Sequence, residues 1–85
     1  MNVNFTEKGW ADYCYWQEIN KKKVEKINKL LKSIIRDPYS GEGKPESLRF
    51  EYKGMWSRRI DHEHRLIYIV MNQQVTVLSC RHHYE

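Results

Sequence analysis

The sequence predicts an α+β domain, with two N-terminal helices packed on one face of a small, mainly antiparallel sheet. Three observations carry this. From Lys21 onward Val24, Ile27, Leu31 and Ile34 recur at helical spacing, with lysines on the other faces. After Leu48 the apolar residues alternate instead, in four runs punctuated by Lys53-Gly54, Asp61-His62-Glu63 and Asn72-Gln73-Gln74. A loop containing glycine and proline, Gly41 to Glu46, separates the two patterns. The 85 residues are read as one domain, 1–85, with no internal repeat or linker.

The elements follow in order. Val3 to Phe5 can open the chain as a short strand, and Thr6 then suits the N-cap of a helix carrying Trp10, Tyr13, Cys14 and Gln17. Trp10 and Tyr13, an i, i+3 pair, read as packing residues rather than as a base-stacking surface. Asn20 restarts the chain into the second helix. Asp37-Pro38 ends that helix, because proline disfavours a helical residue before it.

Composition bounds the class. A hydrophobic share of 40% and three tryptophans favour a packed globule despite 31% charged residues. The N-terminus lacks the charged region and apolar run of a signal peptide, which points to the cytoplasm. In that compartment Cys14 and Cys80 read as buried thiols rather than a disulfide. A net charge of +4 favours a polyanionic partner without naming one.

Side-chain parity sharpens the sheet. Trp56, Ile60, Leu66, Tyr68, Val70, Leu78 and Cys80 are all even-numbered. If the turns at 61–63 and 72–74 are three-residue loops, these residues share the face buried by the helices. The odd face then presents Arg59 opposite Arg65, and Arg65 opposite Arg81. Like charges directly opposite cost up to about 1 kcal/mol per pair unless an anion sits among them, so this row expects a phosphate. Surface pairing with Asp61, Glu63 or Glu51 is the competing reading.

His83 shares that parity and lies two residues beyond Arg81. An imidazole titrates near neutrality and can protonate a departing alkoxide. The four histidines do not form a recognisable zinc pattern: no Cys-x-x-Cys accompanies them, and His82 and His83 point to opposite faces. In the central loop, Gly41 and Gly43 permit close backbone approach, Lys44 offers charge, and Pro45 stiffens the entry to Glu46. An ordinary solvated connection would look similar.

Several segments together carry a family resemblance. They are Trp10 with Asp12-Tyr13 and Tyr15-Trp16-Gln17, Gly43-Lys44-Pro45-Glu46, Trp56-Ser57-Arg58-Arg59-Ile60, Glu63-His64-Arg65-Leu66 and Cys80-Arg81-His82-His83-Tyr84. The sequence resembles, from end to end, the YoeB (Txe) branch of the RelE-type bacterial toxins. The resemblance implies a RelE-like fold and the toxin of a type II toxin-antitoxin pair: a metal-independent endoribonuclease that cuts mRNA in the ribosomal A site and blocks translation. It implies no cofactor, a YefM-type antitoxin as partner, operator DNA reached through the antitoxin complex, a homodimer, and no membrane. Carried over by position, the catalytic set is Glu46, Arg65, His83 and Tyr84; the RNA-contacting positions are Arg49 and Arg59, to which loop and row add Lys44 and Arg81. Ser47 stands where the family pattern has proline, Arg49 where it has lysine, and Glu85 follows the tyrosine.

On this reading Glu46 deprotonates a ribose 2′-hydroxyl, Arg65 and Arg59 hold the phosphate, and His83 protonates the leaving 5′-oxygen. Tyr84 orients the phosphate or stacks on a base. Composition alone is equally compatible with a basic RNA-, DNA- or partner-binding module that performs no chemistry.

Overall fold

The computed structural model describes residues 1–82 and comprises β1 (Asn2–Phe5), α1 (Glu7–Ile19), α2 (Lys21–Arg36), β2 (Glu46–Ser47), a 3-10 turn (Phe50–Tyr52), β3 (Met55–Arg59), β4 (Arg65–Met71) and β5 (Gln74–Ser79). The strands lie in the order β1-β5-β4-β3-β2, with β1 parallel to β5 and every other pair antiparallel. The expected α+β architecture is the one observed.

The helices begin and end where polar side chains supply partners. Thr6 caps α1 by accepting from the Gly9 N–H at 3.0 Å, and its N–H donates to the Val77 carbonyl at 3.0 Å, which ties the helix start to β5. Asn20 serves both helices: its N–H donates to Trp16 O at 2.8 Å, and its side chain accepts from Lys22 N at 3.1 Å. It is the single residue between them.

The core is a cluster of Trp16 from α1, Ile27, Leu30 and Ile34 from α2, and Ile60, Leu66, Tyr68, Val75, Val77 and Cys80 from the sheet side. The stripe on α2 is as expected, except that Leu30 rather than Leu31 is fully buried. The buried face of α1 is not the expected one. Gly9, Asp12 and Trp16 point inward, while Trp10 is 52% exposed and packs its ring on Phe5 and Tyr13. The cause is the close approach of α1 to β5: a methyl on Gly9 would strike the Val77 carbonyl, so that side of the helix must be the inner one.

The parity argument holds on β3 and β4 and changes on β5. The loop at 61–63 has three residues, and Arg59 pairs with Arg65 as expected. The next turn has only two, Asn72 and Gln73, both with positive φ (52° and 59°), as a tight hairpin turn requires. Shortening the loop by one residue reverses every side chain after it. Val75 and Val77, not Leu78, therefore fill the core. A bulge then inserts Leu78 between the pairs Tyr68–Val77 and Ile67–Ser79, restoring the original phase and returning Cys80 to the core.

Candidate active site

Strand register places the expected charges on the sheet face turned away from the helices. Glu46 opposes Ser57, Arg59 lies two residues beyond Ser57 on the same strand, and Arg65 opposes Arg59. Opposed residues in a sheet share a face, as do residues two apart, so all three project to one side. Their neighbours on that face, Ser57 and Ile67, are buried, whereas Glu46 and Arg59 are exposed. Two shallow clefts adjoin them. One, of about 350 Å3, is lined by Lys26, Gly43, Lys44, Arg59, Ile60, Asp61 and His62. The other, of about 330 Å3, is lined by Glu46, Ser47, Leu48 and Arg49. Expected phosphate-binding cations thus line both clefts.

Two opposed arginines coexist because one is turned aside. Arg65 Nη1 donates to the carbonyls of Asp61 (2.8 Å), His64 (3.1 Å) and His62 (3.3 Å), packing its guanidinium over the β3–β4 loop. Its Nε and Nη2 have no partner among the described residues. Arg65 therefore has a structural duty that the parity argument alone did not assign to it. The loop is held further by Asp61, whose carboxylate accepts from the N–H groups of Glu63 and His64 and pairs with Lys23. Partial burial alone would raise the Asp61 pKa; the Lys23 ammonium and the two N–H groups outweigh it and hold the carboxyl at about 2.

Arg81 does not complete the row. β5 ends at Ser79, and the Arg81 guanidinium lies over the Tyr15 ring of α1, 3.7 Å from its centroid. Beyond β5, residues 80–82 are tied down by side chains and single backbone bonds rather than by a regular ladder. Asp12 accepts from the Cys80 N–H at 3.0 Å, and Trp16 Nε1 donates to the Cys80 carbonyl at 2.8 Å. Burial, together with the Asp12 carboxylate, pushes the Cys80 thiol up to about 12, which favours the protonated thiol over the thiolate. Beyond it, the His82 N–H donates to His64 Nδ1 at 2.7 Å, and the Arg65 N–H donates to the His82 carbonyl at 2.8 Å. His83 and Tyr84, expected in the catalytic set, lie outside the described residues.

Glu63, His64 and His82 each bring a ligand atom within 4.8 Å of the others. Their hydrogen bonding disfavours a metal there. With Nδ1 accepting from His82, neutral His64 carries its proton on Nε2, 3.7 Å from Glu63 Oε1, and an ion at either nitrogen would displace that bond or that proton.

The residue that sequence reasoning missed is Arg58, which is fully buried. Nε donates to the Tyr68 hydroxyl (3.1 Å), Nη1 to Ser33 Oγ (2.8 Å) and Glu42 O (3.0 Å), and Nη2 to Asp37 O (2.7 Å) and Ser40 O (2.9 Å). All five guanidinium N–H groups are satisfied. Tyr68 in turn donates to Pro38 O at 2.6 Å. Together they fix the segment 37–43, in which Gly41 and Gly43 take positive φ, just before Glu46. Its even number, between Trp56 and Ile60, was the available signal.

The match to known proteins covers nearly the whole chain. The family described as YoeB-like toxin of bacterial type II toxin-antitoxin system fits residues 5–84. The chain belongs to this YoeB family. Toxin YoeB of Escherichia coli (strain K12) is 48% identical over 84 residues, covering 99% of this chain and 100% of that one. Toxin YoeB of Synechocystis sp. is 47% identical over 85 residues, 100% of this chain and 99% of the relative. The solved YoeB/ParE toxin from Agrobacterium tumefaciens superposes with a TM-score of 0.95 at 43% identity, covering 99% of this chain and 100% of that one. A Staphylococcus aureus YoeB–YefM complex matches at 0.91 and 48%, covering 99% and 98%. This YoeB-family chain is therefore a type II toxin with a RelE-like fold.

Proposed function

We propose that this YoeB-family toxin is a ribosome-dependent endoribonuclease that cuts mRNA in the A site and halts translation. The observation that carries the proposal is the placement of Glu46, Arg59 and Arg65 on one sheet face, the one away from the helices. Glu46 takes the proton of a ribose 2′-hydroxyl, and the freed oxygen attacks the adjacent phosphorus. A bond forms from O2′ to phosphorus as the bond to O5′ breaks, leaving a 2′,3′-cyclic phosphate. His83 delivers a proton to the departing 5′-oxygen. The spare donors of Arg65, with Arg59, hold the charge that builds on the phosphate. Tyr84 orients the phosphate or stacks on a base. These proton transfers need no metal or cofactor. A carboxylate is a weak base for an alcohol, so much of the acceleration comes from the arginine clamp and from in-line geometry that the ribosome imposes on the message.

Lys44, beside Arg59 in one cleft, and Arg49, beside Glu46 in the other, supply contacts to flanking phosphates. Arg81, stacked on Tyr15, contributes from the edge of the same end of the sheet. The partner is a YefM-type antitoxin, through which the complex reaches operator DNA. Staphylococcus aureus relatives have been solved as a YoeB–YefM complex and as a YoeB dimer, which supports this pairing and a homodimer. One domain, acting in the cytoplasm, suffices for this role.

The test is an in vitro translation reaction with the message mapped for cuts. The parent chain should stop translation and leave discrete cuts at the A-site codon; His83→Gln and Glu46→Gln should bind ribosomes and leave the message intact, each losing about 100- to 10,000-fold in rate. Ribosome binding by the parent with no cuts would make the chain a binding module instead.

A further inference from the structure

The positive charge of this chain is concentrated on one element. α2 carries seven of the 15 lysines and arginines and only one of the 11 acidic residues, Glu25, so the helix alone has a net charge of +6 and the other 69 residues together −2. The overall +4 therefore comes from α2 rather than from the sheet face that presents Glu46, Arg59 and Arg65. Lys23 pairs with Asp61, and Glu25 lines a separate cleft with Gln17, Lys21 and Val24. Lys26, Lys29, Lys32 and Arg36 follow at spacings of three or four residues, along one flank of the helix over about 15 Å. None of the four has a side-chain partner among the described residues.

A groove runs beside this row. Its other wall is the segment that Arg58 pins against the helix: Ser33 Oγ of α2 accepts from both Arg58 Nη1 and the Glu42 N–H, and a methyl on Gly41 would strike the same oxygen. Lys29, Lys32 and Arg36 line this cleft, of about 520 Å3, with Ser40, Gly41 and Glu42. About one turn back along α2 and one residue on along the segment, Lys26 and Gly43-Lys44 line the cleft that contains Arg59. The two clefts are consecutive, so Arg36, Lys32, Lys29, Lys26, Lys44 and Arg59 mark a path from the flank of α2 to the edge of the candidate site.

Carboxylates along the path are mostly engaged. Asp37 accepts from the Tyr39 N–H and the Ser40 hydroxyl, and Asp61 from the N–H groups of Glu63 and His64. Glu42 has no side-chain partner among the described residues. No Phe, Tyr or Trp lines either cleft, so the groove offers charge without a stacking platform. Such contacts position a nucleic-acid strand by its phosphates and leave its bases unread.

On the reading of Glu46 and Arg59 as parts of a cleavage site, we propose that this groove is a docking track for the message strand beyond the scissile phosphate, with Lys29 and Lys32 gripping its backbone independently of sequence. Continuity with the Arg59 cleft is what selects the message as occupant.

The test measures binding of the full chain to 2′-O-methyl RNA, which lacks the attacking hydroxyl and stays uncut. Oligonucleotides of about 4 nucleotides are compared with ones of about 12, extended at the 5′ or the 3′ end. The parent should bind one of the longer oligonucleotides at least about tenfold more tightly than the short one. The double variant Lys29→Gln, Lys32→Gln should lose that gain and bind the short one within about threefold of the parent. Its plot of log affinity against log salt should be shallower by about 1.4, two phosphate contacts at about 0.7 each. A charge-matched control, Lys21→Gln with Lys53→Gln, should keep the gain. In ribosome-programmed cleavage the Lys29, Lys32 double should raise KM by about tenfold and leave kcat within about threefold.

Equal binding of short and long oligonucleotides by the parent would overturn the proposal, as would equal losses in the two double variants, since net charge alone would then be the cause. A loss seen with message-free ribosomes and not with the oligonucleotides would assign the groove to ribosomal RNA and overturn the message assignment. Failure of the functional reading looks different: the parent itself leaves the message uncut in translation.

Discussion

Arg58 and Arg59 are adjacent, chemically identical, and opposite in every structural respect. Arg58 points toward the helices, is 0% exposed, and directs five donors at five neutral oxygens. Arg59 points the other way, is exposed, and has no side-chain partner among the described residues. One step along a strand separates a cation that organises the fold from one left available to a ligand. Desolvating a guanidinium is costly, and a fully satisfied donor set is what makes the inner one tolerable. The outer one, left hydrated, keeps its Coulombic attraction for an arriving phosphate.

Replacing each arginine with Met should split stability from activity. Arg58→Met, the largest expected effect, strands several buried acceptors at about 1–3 kcal/mol each, so it should cost about 3 kcal/mol or more in a denaturant melt. An unchanged midpoint would mean that water fills the site. Arg59→Met should leave the midpoint within about 0.5 kcal/mol while lowering cleavage by about 100-fold, which is about 2.7 kcal/mol of transition-state stabilisation. If instead Arg59→Met melts early and cuts normally, the working face has been misassigned. Trp16→Phe sharpens the comparison on the inner side alone: it keeps an aromatic ring but loses the bond to the Cys80 carbonyl, at a cost of about 1 kcal/mol by thermal melt.

The effect confined to the narrowest range of conditions is a pH dependence at the edge between the two faces. Asp61 is held at about 2, below the usual carboxylate value near 4, so its ion pair and hydrogen bonds contribute stability that is fully present above about pH 4 and is lost as pH falls toward 2. Asp61→Asn should flatten that part of the stability-against-pH curve. An unaltered acid limb would assign it to other carboxylates, such as Asp37, whose pKa is also lowered, first by the Tyr39 N–H and then by the Ser40 hydroxyl.

Much of this contrast was legible in the residue pattern. Alternation on β3 and β4 gives the faces correctly because both strands are regular and their loop has three residues. It misleads on β5 because two local events, a two-residue turn and the Leu78 bulge, each shift the phase by one, and neither Gln73 nor Leu78 advertises itself as a site of irregular backbone. The face of α1 was misread for a different reason. Aromatic residues are the natural candidates for burial, but the contact is set by the residue that permits the closest approach, Gly9, and by Asp12, a carboxylate that is buried because it caps the Cys80 N–H. Arg58 escaped notice because charge outweighed position: its parity was right for the core, and its partners, mostly carbonyls of the segment 37–42, cannot be read from side-chain identities.

The Arg58 network has a further consequence for motion. Proteins open locally in units whose free energies range from near zero up to that of global unfolding. A glycine-bearing segment ahead of the proposed catalytic carboxylate would ordinarily belong to the low end, free to swing like a flap. Here, lifting residues 37–42 would leave a guanidinium deep in the sheet with most of its acceptors gone, so the segment should open only when the sheet itself comes apart. Its amides should exchange with solvent at nearly the rate of the core strands. On the proposed mechanism, the toxin would then meet its message with the Glu46 side of the site already assembled, and substrate selection would rest on what the message must do to fit rather than on closure of the protein around it.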